Sequence, residues 1–175
     1  AKLLMAAGRL DEAEKYLRTA ENLPQTNPFW RLKIVFARMT DAMMRGDTTA
    51  AMDIAAEMPT NDRDLYTALA AQAGSERAVA DAALANALAN KSRAEANPYL
   101  IAQIYALRGD ATRSMEWLLR ASAGDLIFLP TDPLILNLRD DPRFIAFCQK
   151  VGLPPPRDVE TLSIDQIRAA AATKI

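Results

Sequence analysis

Gly8, Gly46, Gly74 and Gly109 punctuate the chain at a mean interval of about 34 residues, each set between two stretches of helical character. Before each glycine lies an apolar helical run, and after it come one or two polar residues and a second run rich in alanine. A chain broken at that interval folds as successive helical hairpins, each burying its apolar face against the next. The expected class is therefore all-α: an α–α superhelix of stacked hairpins, right-handed, closed by a helical C-terminal cap.

Local signals place the elements. Ala1 to Ala7 reads as the end of a first helix, Gly8-Arg9 as its turn, and Leu10 to Leu23 as the partner helix, with Ala13, Tyr16, Leu17 and Ala20 as its apolar stripe. Asn27-Pro28 starts a helix that runs to about Arg45, with Leu32, Val35, Phe36, Met39 and Met43 on one face. Thr48 is the expected cap of the next helix, which Pro59 ends. The third hairpin spans about Asp62 to Lys91, with Ser75 as the expected cap of its second helix. From Thr67 to Ala96 the chain holds 13 alanines, which favours helix but buries little area, so a loosely held core is expected there. Asn97-Pro98 opens a fourth hairpin, in which Ile101, Ile104, Tyr105 and Arg108 share a face. Ser114, Trp117, Leu118 and Ala121 continue the stripe on its partner.

Beyond Gly124 the rhythm changes. Leu126 to Leu129 reads as a buried connector. Asp132-Pro133 and Asp141-Pro142 each pair a helix cap with a proline at the first helical position. The second opens an amphipathic helix with Phe144, Phe147, Cys148 and Val151 on one face. Ser163 to Gln166 matches a capping box for a terminal helix from Ile164 to about Thr173. The expected divisions are a hairpin array over 1–124, a capping segment over 125–153, and a proline-rich linker with a terminal helix over 154–175.

Composition narrows the function. The chain has no histidine, one cysteine and a formal charge of −1. It lacks the usual general base near neutral pH, a paired nucleophile and base, and a glycine-rich phosphate loop, so no catalytic residue, metal site or cofactor is expected. Near-neutrality argues against a nucleic-acid partner, and no apolar run is long enough to insert in a membrane. Cys148 reads as a buried apolar residue rather than a nucleophile, and Asp132, Asp140 and Asp141 read as caps rather than metal ligands. With no initiator methionine and an opening inside a helix, the chain reads as a fragment of a longer protein.

Pro98 to Asp110, with Glu116-Trp117-Leu118, followed by Asp132-Pro133, Leu138 to Phe144 and Val151 to Pro154, resembles the C-terminal tetratricopeptide-repeat region of large bacterial regulators. In such proteins the array follows a winged-helix DNA-binding, kinase or cyclase domain. The resemblance is strongest over about the last 60 residues. Ala13 and Ala51 keep the repeat's second-helix alanine, whereas Val79 and Ser114 replace it. Tyr105 keeps its first-helix tyrosine, whereas Leu4 and Ala42 stand at the equivalent places.

The resemblance implies a concave groove lined by the first helix of each hairpin. Here that surface would present Lys33, Phe36, Thr40, Met43, Met44, Gln72, Tyr99 and Gln103 to a protein or peptide. Phe36, Met39 and Met43 have core packing as their alternative role. The implied function is a protein–protein interaction module, the sensory or regulatory part of a larger bacterial signalling or transcription-regulating protein. It would act in the cytoplasm, or in the periplasm if the parent protein is membrane-tethered. The alternatives are a small-molecule sensor with an enclosed pocket, and a homo-oligomerisation module.

Overall fold

The computed structural model describes residues 1–24, 27–154 and 161–172. Among these residues it is entirely helical, without a strand. Helices α1 (Lys2–Ala6) and α2 (Leu10–Glu21) form the first pair, and α3 (Pro28–Arg45) and α4 (Thr48–Ala56) the second. The third pair is α5 (Arg63–Ala71) and α6 (Arg77–Ala89). A short α7 (Lys91–Ala96) leads to the fourth, α8 (Pro98–Leu107) and α9 (Ala111–Leu118). Successive pairs touch through α2 and α3, α4 and α5, and α5 and α8.

One turn recurs. Gly8, Gly46 and Gly109 have φ of 72°, 75° and 73°, the left-handed region that closes a helix most easily at glycine. After each, the next residue donates its N–H back five residues: Arg9 to Leu4 at 2.8 Å, Asp47 to Ala42 at 3.0 Å and Asp110 to Tyr105 at 3.0 Å. Gly74 serves differently. Its φ is not left-handed, but a Cβ there would lie 3.1 Å from Thr48 Cγ2, so glycine is what lets this turn approach α4.

Caps explain where the helices begin. The Asn27 side chain accepts from Phe29 N–H at 2.9 Å, and Asp141 accepts from Arg143 N–H at 2.8 Å. Two expected caps are corrected. Asp47, not Thr48, caps α4 by accepting from Ala50 N–H at 2.9 Å, because its carboxylate stands one residue earlier and Thr48 is already helical. Helix α6 begins at Arg77, so Glu76 rather than Ser75 holds the cap position, with no side-chain hydrogen bond. The unanticipated α7 is started by Asn90, which accepts from Arg93 N–H at 3.2 Å.

Two apolar clusters make the interior. The first runs from Met5 through the first three pairs to Leu100, Ile101 and Ile104, and takes in Leu134, Ile164 and Ile167. Its bulk comes from methionine: Met5, Met39, Met43, Met44 and Met58 are all at most 1% exposed, flexible side chains filling the space between alanine-rich surfaces. The second gathers Ala102, Ala106, Met115 and Leu118 with Leu126, Leu129, Phe144, Phe147 and Cys148. It holds the fourth pair to α10 (Ala123–Leu126) and α11 (Pro142–Lys150). Four apolar positions depart from expectation: Tyr16 and Val151 face solvent, and in the connector Ile127 and Phe128 turn outward while Leu126 and Leu129 are buried.

The C-terminal part folds back across the first two pairs. Leu162 N–H donates to the Ala6 carbonyl at 2.7 Å and Ile164 N–H to the Pro133 carbonyl at 3.0 Å. Helix α12 (Ile164–Ala172) starts with the expected capping box, Ser163 N–H donating to Gln166 Oε1 at 2.9 Å and Gln166 N–H to Ser163 Oγ at 3.3 Å. It packs on α3, where Arg168 Nε donates to the Met43 carbonyl at 3.1 Å and Nη2 shares the same acceptor. The 3₁₀ turn at Leu129–Thr131 touches α1, and the one at Leu136–Leu138 touches α8 and α12. The face formed by α1, α3 and α8 is thus largely covered by the chain itself.

Candidate binding cleft

What the C-terminal part leaves open is a cleft of about 190 Å³, lined by Lys2, Leu32, Lys33, Phe36, Tyr66, Tyr99 and Gln103 on the helices and by Phe128 and Asp132 opposite. Its walls are aromatic. Phe36 and Tyr66 meet edge to face with ring centroids 5.9 Å apart, a favoured geometry for aromatic pairs. Lys2 Nζ lies 5.1 Å from the centroid of Phe36 and 4.9 Å from that of Phe128, so its ammonium rests between two ring faces. Burial pushes the Lys2 pKa below the ordinary lysine value; the Asp132 charge works against that shift and the Lys33 charge with it. Lys33 Nζ sits 5.2 Å over Phe29.

Asp132 organises the floor. Its Oδ2 accepts from the Tyr99 hydroxyl at 2.8 Å and from Gln103 Nε2 at 2.6 Å. Its Oδ1 accepts from Leu134 N–H at 3.0 Å, a cap-like bond. The helix expected to start at Pro133 is corrected: only a turn and the 3₁₀ segment Leu136–Leu138 follow, because the next Asp-Pro pair starts α11 nine residues later. Burial and then the Asp132 charge raise the Tyr99 pKa well above the usual phenol value, so Tyr99 remains a neutral donor. Because Gln103 must turn its NH₂ toward the carboxylate, its Oε1 points away, buried and without a hydrogen-bond partner among the described residues. A buried acceptor in that state costs about 1–3 kcal/mol.

Of the residues expected on the groove, Lys33, Phe36, Tyr99 and Gln103 converge on this cleft. Thr40 does not line the cleft but a small void beside it that shares Lys2, Phe36, Phe128 and Asp132. It is 4% exposed, with its hydroxyl donated to the Phe36 carbonyl at 2.9 Å. Met43 and Met44 are corrected from groove to core: both are buried in the first cluster, and α12 crosses the Met43 carbonyl. Gln72 lies elsewhere, with its Nε2 on the Ala68 carbonyl at 2.7 Å and its Oε1 accepting from Arg108 at 3.3 Å.

Sequence reasoning passed over Lys2, Tyr66 and Phe128 and saw Asp132 only as a cap. Lys2 carries no local signal at all. Its position opposite Phe128 exists only once residues 124–132 fold back onto α1. Cys148, in the second cluster against which Tyr99 also packs, is buried, and burial raises its thiol pKa to about 11. No helix among the described residues is long and apolar enough to cross a membrane. Comparison with protein-family models, curated proteins and solved structures found no match for the chain.

Proposed function

We propose that this chain is a tetratricopeptide-like interaction module that binds a short segment of a partner protein in the cleft between α1, α3, α5 and α8. The recurrent glycine turn at Gly8, Gly46 and Gly109 supports the repeat reading. The observation that carries the function is the convergence of aromatic walls and two lysines, drawn from successive hairpins, on one cleft. At about 190 Å³ that cleft is smaller than the roughly 300–1,000 Å³ of drug-sized ligand pockets. That size favours one or two side chains of a passing peptide over a whole small molecule. In keeping with the sequence resemblance, the module is the regulatory part of a larger bacterial protein, and peptide occupancy is its input.

A displayed peptide library panned against the chain tests this. Enriched peptides should perturb the amide resonances of Lys33, Phe36 and Gln103. Phe36→Ala should weaken them about tenfold, since aromatic residues carry much of the energy of such contacts. Peptides that perturb only the opposite face, around Arg38 and Glu57, would overturn the assignment.

A further inference from the structure

Two ammonium groups line the cleft, and neither Lys2 nor Lys33 forms an ion pair among the described residues. Elsewhere on the surface, arginines pair freely: Arg45 reaches Asp11, Glu14 and Asp41, and Arg38 reaches Glu21 and Glu57. The carboxylate nearest Lys2 in electrostatic effect, Asp132, has both oxygens committed: Oδ2 to Tyr99 and Gln103, and Oδ1 to Leu134 N–H. Asp125 lines the rim and is tied to Ser122, whose hydroxyl it accepts at 2.6 Å. Lys2 is therefore a largely buried cation held by two ring faces and lacking a counter-charge in contact. A buried charge is costly until it is paired.

We infer that the cleft selects an acidic residue within a peptide, its side-chain carboxylate seated between the Lys2 and Lys33 ammoniums and its methylenes against Phe36 and Tyr66. This inference rests on the peptide-binding reading above and names the chemistry of its anchor. Asp125 and Asp132 share the lining, but neither is in contact with a lysine. The peptide carboxylate therefore brings the contact ion pair that Lys2 and Lys33 do not have among the described residues, and the aromatic walls bring the apolar contact that a phosphate or sulfate would not use.

Titration of the isotope-labelled chain with the blocked pentapeptide acetyl-Ala-Ala-Glu-Ala-Ala-amide, followed at the Lys33, Phe36 and Gln103 amides, tests it. Its glutamine twin should bind about tenfold more weakly, the scale of one charge-assisted hydrogen bond. Lys33→Gln, on the exposed side of α3, and Lys2→Gln, which removes the ammonium between Phe36 and Phe128, should each erase most of that difference. Equal binding of the two peptides at the cleft overturns the acidic anchor and leaves the peptide reading intact. Glutarate, or the glutamine peptide with a free C-terminus, binding more tightly than the glutamate peptide overturns the side-chain source. If neither these peptides nor library peptides move the cleft resonances, both readings fail.

Discussion

At the scale of single residues, Asp132 joins two tasks in one carboxylate. One oxygen starts the turn at Leu134, and the other fixes Tyr99 and Gln103 from across the fold. Asp132→Ala strands those donors in a site where Asp132 itself is 8% exposed. The expected loss is about 3 kcal/mol, read from the urea midpoint. Cys148 gives a pH signature. Its thiol titrates near 9.0 when unfolded and about 11 when folded, so above pH 9 the unfolded chain sheds a proton that the native state keeps. Stability present below pH 9 is then lost as pH rises toward 11, by up to about 3 kcal/mol. Tyr99, also raised, adds to the fall above its ordinary value. Cys148→Ala should flatten the drop between pH 9 and 11 in denaturation curves. The capping task of Asp132 was legible because Asp-Pro is a local signal. Its bonds to residues 33 and 29 positions away were not, since nothing in the neighbourhood of Asp132 encodes them.

At the scale of elements, glycines and caps made most boundaries readable. Asn27, Asp141 and the Ser163–Gln166 box start helices where local chemistry says they should. Errors arose where two candidates adjoined, as with Asp47 beside Thr48, or where the helix began later than its last polar residue suggested, as after Ser75. Gly46→Ala isolates the backbone term: φ is 75° and no atom lies within 4 Å of the added carbon, so only left-handed strain is introduced. A loss of about 1–2 kcal/mol is expected in thermal or urea unfolding. Docking of α12 was not legible, because an amphipathic helix does not name the surface it meets. Ile167, 4% exposed in the first cluster, tests that contact. Ile167→Ala should cost about 2–4 kcal/mol and raise binding of a hydrophobic dye, as the Met43 side of α3 is uncovered.

At the scale of the whole molecule, burial is unevenly shared. Helix α8 buries Leu100, Ile101, Ala102, Gln103, Ile104, Tyr105 and Ala106, whereas α6 buries only Ala80, Leu84 and Ala87. Native-state hydrogen exchange should therefore show residues 77–89 opening before residues 98–107. The sequence signalled this through its alanine run, since alanine forms helix readily but contributes little apolar area. The bond from Leu162 to Ala6 and the seat of Ile164 and Ile167 among the first helices have a consequence for synthesis. Within this stretch α1 and α2 are made well before α12, so during synthesis the opening hairpin waits without its cover. Contacts so distant along the chain slow folding and leave that hairpin exposed to chaperones until the later segment has been made.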